Sequence, residues 1–215
     1  MLVPIICLLI ISGYLFLAEE LWQHNILHGE AERKFVHVGV GSFVAFWPWL
    51  MSFRWITVIG LVLLAAVLAN RLFRPSHLLG EVHRPSIGDF LLPGAIIICS
   101  LLTHHKIFFA VAMLHLSWAD GLAALVGENY IRRWGYRVLG QVKTVIGSMT
   151  FWVVSIAILG LAGPFMVGLI SYSHYATIIL VLPLILTELE AIGVFGLDNL
   201  LVPVAVVLAL RLAQS

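Results

Sequence analysis

The sequence predicts an all-α fold: a polytopic integral membrane helix bundle of about eight transmembrane helices, forming a single domain over residues 1–215. Three observations carry this. The chain is 61% hydrophobic, well above the roughly 45–50% of a soluble domain. Its mean hydropathy is +1.06. Its apolar residues fall in runs near the ~20 residues that cross a bilayer as a helix.

Taken in order, the first run covers 2–18. No positive segment precedes it and "FLAEELW" is a poor cleavage site, so it reads as a retained membrane helix, not a signal peptide. The second run, 35–51, follows the charged stretch "AERK", and the third covers 54–70. The fourth, 89–103, is short for a full span. The fifth, 106–127, carries Asp120, and the sixth, 144–162, opens on Lys143-Thr144. Residues 163–174 are apolar but broken at Gly163-Pro164. The seventh and eighth runs cover 175–194 and 198–214. No internal repeat, low-complexity tract or linker interrupts them.

Net charge is +1, so the chain lacks the basic field of a nucleic-acid binder. Cys7 and Cys99 both sit inside apolar runs, which is a packing choice and not a disulfide framework. Nine of the twelve Lys and Arg residues fall in the segments around 33–34, 71–88 and 128–143. The other side holds Arg54, Lys106 and Arg211. Positive charge marks the cytoplasmic face, so the first group is expected there and both termini outside.

The remaining polar residues gather on that same side. Asp120 lies about 10 Å inside the fifth helix at 1.5 Å per residue. Glu188 and Glu190 close the seventh, Asp198 and Asn199 open the eighth, and Arg84 and Asp89 precede the fourth. Ionisable groups at membrane depth are costly and mark sites or pathways. Asp120, Glu190 and Asp198 suit a hard cation such as Mg²⁺. Arg132, Arg133, Arg137 and Lys143 suit phosphates, Arg as a fork and Lys as a point charge. Gly121, Gly127, Gly140 and Gly147 allow close backbone approach. Lys143-Thr144 stands at a helix start, where free N–H groups favour an anion.

These parts fit phosphoryl transfer, in which catalysis is mostly positioning and charge neutralisation. Neither a Walker A sequence nor a kinase-type Gly-rich loop is present. Blander roles compete. Arg33 and Lys34 would also serve as positive anchors, and the 132–137 stretch as an interfacial loop. His24 and His28, spaced i, i+4, are weak metal evidence; His104 and His105 are adjacent and point apart. His115 is expected to pack or hydrogen-bond within the bundle.

"AERKFVHVG", "DGLAALVG", "KTVIGS" and "ELEAIGVFGLDNLLVP" resemble, in order and spacing, the motifs of the polyprenol kinase family. That family includes dolichol, phytol and farnesol kinases and the CTP-dependent diacylglycerol kinase, and is related to phosphatidate cytidylyltransferases. The resemblance covers Glu30 to Pro203. It implies a divalent cation and transfer of a nucleotide's terminal phosphate, typically from CTP, to the hydroxyl of a membrane lipid alcohol. It assigns Asp120, Ala123, Gly127, Lys143, Thr144 and Gly147 to the nucleotide motif, and matches Glu32, Arg33, Lys34 and His37 at the start. Glu190, Asp198, Asn199 and Pro203 match at the end, with Glu188 off in spacing.

Within this scheme Asp120, Glu190 and Asp198 are the metal ligands and catalytic acids, and His37 orients the alcohol. Arg33 or Lys34 contacts phosphate, and Glu32 pairs with a neighbouring cation. His37 is placed on one face with Arg33 (i, i+4). The chain departs from the family pattern at Ile131, Val142 and Ile146. A cytidylyltransferase making a CDP-lipid and a small transporter are the competing readings. Transporters, however, commonly carry repeat symmetry.

The charge split predicts that Arg133→Cys is shielded from a membrane-impermeant thiol reagent applied outside intact cells. Labelling of that position from outside overturns the orientation.

Overall fold

A computed structural model of the chain describes residues 2–27, 29–73 and 88–214. Arg74, Arg84 and most of the expected 71–88 loop lie outside the described residues, as does His28.

Each of the eight apolar runs is helical. The first is α1 (Leu2–Gln23). The second is α2 (Gly29–Ala45), followed by the short α3 (Trp47–Leu50). The third and fourth are α4 (Phe53–Phe73) and α5 (Gly88–Leu102). The fifth is a composite rod: α6 (Lys106–Leu114), a π-helical turn (His115–Ala119) and α7 (Asp120–Glu128). The short α8 (Ile131–Trp134), strands β1 (Gly135–Val138) and β2 (Gln141–Thr144), and α9 (Val145–Ala162) follow. Gly163–Met166 is a 3₁₀ turn, so the broken 163–174 region does not extend α9 as an α-helix. Then come α10 (Tyr172–Ile192), a 3₁₀ turn (Val194–Gly196) and α11 (Asp198–Leu212).

Among the described residues, five helical segments are long and apolar enough to cross a membrane: Leu2–Gln23, Phe53–Leu72, Lys106–Glu128, Val145–Met166 and Tyr172–Ile192. α5 is the shorter apolar helix the sequence suggested. The expected second span, 35–51, is displaced. Its helix begins at Gly29 and ends at Ala45, and Pro48 falls in the first turn of α3, where its missing N–H costs nothing. α2 and α11 have 17 and 15 residues, about 26 and 23 Å of helix against a hydrocarbon core of about 30 Å.

The rod Lys106–Glu128 is the axis of the bundle. Of its apolar window 67% is buried, against 22% for α1 and for α4. It is apolar over most of its surface, as a largely enclosed helix must be, and α2, α9 and α11 pack around it. Phe108, Phe109, Met113 and Leu116 pack with Phe151 of α9 and Trp47 of α3 in the core. Small residues set the closest approaches, as expected where lipid gives no hydrophobic drive between helices. Val38 of α2 lies against Gly121. A Cβ added at Gly41 would meet Ser117 Cβ at 2.6 Å, and one added at Gly127 would meet Thr144 Oγ1 at 2.6 Å and Gly147 Cα at 3.2 Å.

The sequence reading treated 128–143 as a basic loop. The structure instead forms an antiparallel hairpin, with Tyr136 opposite Lys143 and Arg137 opposite Val142. Its two-residue turn has positive φ at both Leu139 (44°) and Gly140 (86°), as a type I′ connection needs. Tyr136 Oη lies 2.8 Å from Ser148 Oγ and ties the hairpin to α9. Cys7 and Cys99 are free and buried, in accord with their packing role.

Gly127→Val is expected to lower stability by about 1–3 kcal/mol through overpacking. Gly13→Ala, where an added Cβ meets nothing within 4 Å, should be neutral or slightly stabilising. Thermal denaturation in detergent compares the two; equal melting temperatures would show that α7 and α9 do not close at Gly127.

Candidate active site

The polar residues meet at one end of the bundle, where α2, α7, β2, α10 and α11 bring their termini together. Asp120 is the first residue of α7 and is buried. The π turn before it changes the backbone bonding. Asp120 N–H is directed to the carbonyls of His115 and Ser117, so the Leu116 carbonyl loses its ordinary i+4 donor. His37 Nε2 lies 2.8 Å from that carbonyl. A carbonyl only accepts, so Nε2 carries the ring proton. The same nitrogen is 3.3 Å from Asp120 Oδ2.

Lys34 completes this half of the site. Its Nζ donates to Asp120 Oδ2 at 2.5 Å and to the Asp120 carbonyl at 3.4 Å, and the residue is only 1% exposed. Lys34 and His37, at i and i+3, share the face of α2 that meets the rod. The sequence reading paired His37 with Arg33. Arg33 is instead half-buried, within electrostatic reach of Asp89 and Asp120. Glu32 is buried at the start of α2.

The other half is built from Lys143, Glu190 and Asp198. Lys143 is carried on β2, and its Nζ donates to Glu190 Oε1 at 2.5 Å, to the Glu190 carbonyl at 2.9 Å and to Asp198 Oδ2 at 3.4 Å. Burial alone would lower the Lys143 pKa. The Glu190 and Asp198 carboxylates outweigh it and raise the pKa, so the ammonium stays charged. Glu190 is near the end of α10 and Asp198 begins α11. A sharp reversal joins them. Phe195 has φ 58°, and a Cβ at Gly193 would lie 2.8 Å from both Asp198 Cβ and Asp198 N. Asn199 donates its side-chain amide to the Gly88 carbonyl at 3.2 Å, fixing α11 to the start of α5.

The two halves converge. Ligand oxygens of Asp120, Glu190 and Asp198 all lie within 4.8 Å of one another. Three carboxylates stand against the ammoniums of Lys34 and Lys143, leaving this inner cluster with one negative charge in excess. Oxygen donors from three elements, converging with residual negative charge, fit a hard divalent cation.

The remaining sequence candidates have other surroundings. Ala123, Gly127, Thr144 and Gly147 form the crossing of α7 with α9. The Thr144 hydroxyl caps α9 by accepting from Gly147 N–H at 3.0 Å. The side chain of Arg132 lies outside the described residues; Arg133 and Arg137 are exposed around the hairpin. Glu188 points to the exposed side of α10, away from Glu190. His115 is buried with Nδ1 on the Val111 carbonyl and takes no part in the cluster. His24 pairs with Glu20 at 3.7 Å on the exposed end of α1. Sequence reasoning missed the π turn and the pairing of Lys34 with Asp120. The i, i+3 spacing of Lys34 and His37 was the available signal for the second.

Lys34→Met strands the Asp120 carboxylate, and loss of one partner of a buried pair costs about 3–5 kcal/mol. The double variant Lys34→Met/Asp120→Asn should recover much of this in thermal denaturation. Additive losses in the two single variants and the double would break the pairing.

Comparison with known proteins adds a relative. No family model and no solved structure matches the chain. The phytol kinase of Synechocystis sp. is 34% identical over 204 residues, covering 86% of this chain and 80% of that protein. The chain therefore belongs to the polyprenol and phytol kinase-like family.

Proposed function

We propose that the chain is an integral membrane lipid-alcohol kinase that moves the terminal phosphoryl group of a nucleotide, CTP in the family pattern, to the hydroxyl of a polyprenol, dolichol, phytol, farnesol or diacylglycerol. The observation that carries this reading is the convergence of Asp120, Glu190 and Asp198 within 4.8 Å, bracketed by the buried Lys34 and the half-buried Lys143. Membership beside a phytol kinase supports the acceptor class, and the motif resemblance supports CTP as donor. The orientation that places this end toward the cytoplasm rests on the positive-charge bias.

The reaction forms a bond between the alcohol oxygen and the γ-phosphorus. It breaks the bridging oxygen–phosphorus bond, and a nucleoside diphosphate leaves. Asp120, Glu190 and Asp198 would hold a divalent cation such as Mg²⁺, which when bound supplies charge neutralisation to the donor phosphates. Lys143 is the more accessible lysine, with 17% of its side chain exposed against 2% for Lys34. Its ammonium, now donating to Glu190 and Asp198, would exchange part of that contact for phosphate oxygens. The start of α9 adds partial positive charge beside it. A carboxylate of the trio accepts the proton released by the alcohol. Lys34 and His37 keep Asp120 in place; with Nε2 committed to Leu116, His37 acts as a positioning residue. Ala123, Gly127 and Gly147 contribute by letting α7 and α9 close, which sets Lys143 against Glu190.

The test uses purified protein with Mg²⁺, labelled CTP and a panel of prenols and diacylglycerol. A phosphorylated lipid plus CDP is expected, abolished by a chelator. Lys143→Met should reduce the rate on the order of 10²–10³, the usual cost of losing one charge-stabilising contact; it also leaves Glu190 and Asp198 without their cation and lowers melting, so Lys143→Arg, which keeps the charge, separates the two effects. Pyrophosphate with a CDP-lipid would assign a cytidylyltransferase. No lipid phosphate from any alcohol with CTP, ATP, GTP or UTP overturns the kinase and returns the transporter reading.

A further inference from the structure

The end of the bundle opposite the carboxylate cluster has the reverse electrostatic character. Arg54 begins α4, Lys106 begins α6 and Arg211 closes α11. His104 and His105 occupy the turn between α5 and α6, and His174 the first turn of α10. No acidic side chain lies at this end among the described residues. The acids of the described elements sit instead in the last turns of α1, α7 and α10 and the first turns of α2, α5, α7 and α11. Along α11, Arg211 stands 13 residues from Asp198, about 20 Å at 1.5 Å per residue.

Part of this basic end forms a cavity of about 170 Å³, lined among others by Thr103, His104, His105, Arg211 and Gln214. Its walls are tied in place. Gln214 Nε2 is 2.8 Å from His105 Nε2. An amide nitrogen only donates, so His105 accepts there and carries its own proton on Nδ1. His105 N–H is bonded to Thr103 Oγ1 at 3.1 Å. A backbone bridge pairs Ile170 with Gln214, and His174 Nδ1 meets the Ala213 carbonyl at 3.1 Å. His104 packs edge-on against Phe53, with centroids 5.9 Å apart. Arg211 has no carboxylate partner among the described residues.

We propose that this cavity binds a phosphate-type anion, separate from the carboxylate site, at the headgroup level of the opposite membrane boundary. The guanidinium of Arg211 supplies a planar fork that matches a phosphoryl group, and the Gln214 amide and the imidazoles of His104 and His105 supply further N–H donors. The volume is below the roughly 300 Å³ at which drug-sized ligand pockets begin, so it suits a single phosphoryl group better than a whole nucleotide. A metal is disfavoured, because His105 Nε2 is already engaged and Arg211 repels a cation. Complementing the α11 dipole explains Arg211 alone, and interfacial anchoring explains Arg54 and Lys106. Neither explains an Arg, two imidazoles and an amide around one cavity at an end without acids. The phosphate belongs either to an anionic lipid headgroup or to a free ion.

The full chain in detergent, measured by native mass spectrometry and by melting temperature, separates these sources. Phosphatidylglycerol retained in preference to phosphatidylcholine, without protection by inorganic phosphate, establishes a lipid headgroup. Protection by inorganic phosphate at matched ionic strength, with chloride as control, establishes a free anion. In either case Arg211→Gln should weaken binding about tenfold, the loss of one charge-assisted contact. Arg211→Lys should weaken it less, and Arg211→Gln should leave lipid phosphorylation unchanged. Arg211 is exposed, so its replacement leaves no hole, and the wild-type lipid and phosphate comparisons need no variant. Equal retention of both lipids with no phosphate protection, or undiminished binding in Arg211→Gln, overturns the proposal.

Discussion

Asp120 places a carboxylate in the most enclosed helix of the bundle, and a charge there must be met by an opposite charge or not formed at all. Lys34 meets it at 2.5 Å, from a helix more than eighty residues earlier in the chain. Much of the surrounding architecture follows from that demand. α2 begins early, so that its charged first turns reach the rod. Val38 and Gly121 nest together, and Gly41 against Ser117, so that the backbones can come close enough for a lysine to span the gap. The π turn rotates Asp120 relative to α6 and frees the Leu116 carbonyl for His37. Isolated π turns inside α-helices recur at functional sites, and here the chemical product is visible: one displaced carbonyl anchors a second helix.

The same constraint acts on the other side of the cluster through different local structure. Lys143 reaches Glu190 and Asp198 from a strand, not from a helix. The hairpin holds it because Tyr136 is fixed to Ser148 and because α9 starts two residues later, under a Thr144 cap. The crossing of α7 and α9 at Gly127 and Gly147 links the two lysine–carboxylate halves. One face of that contact fixes Asp120 and the other fixes Lys143. Small residues there act through backbone distance, with no polar group of their own in the cluster.

The length of the helices records a division of labour. α1 and α4 expose most of their apolar surface and are long, as lipid-facing spans are. α2 and α11 are short, and each devotes an end to the cluster. α11 starts where the chain reverses at Gly193–Leu197, so that Asp198 projects toward Glu190 while Asn199 pins the helix to α5. Among the described residues the acids are confined to this end of the bundle and the far end is basic.

The membrane class, the helical runs and the collection of acids near one boundary were legible in the sequence, because hydropathy and charge along a chain are local quantities. Asp120, Glu190 and Asp198 stood out for the same reason: an acid inside an apolar run is visible without knowing its neighbours. The family motifs were also local, short and in order. Which cation meets which acid was not legible, since Lys34 reaches Asp120 across 86 positions and Lys143 reaches Glu190 across 47. Arg33 and Lys34 are adjacent in sequence and point about 100° apart around the helix; only docking of α2 on the rod decides which one goes inward and which stays half-buried. The glycines of "DGLAALVG" and "KTVIGS" read as permitting close backbone approach, and what approaches Gly127 and Gly147 at the crossing of α7 with α9 is visible only in the tertiary structure. The π turn depends on a balance of backbone bonds within an enclosed helix, and the hairpin on a pairing between short polar segments. Both are decided by long-range contacts that a linear pattern does not carry.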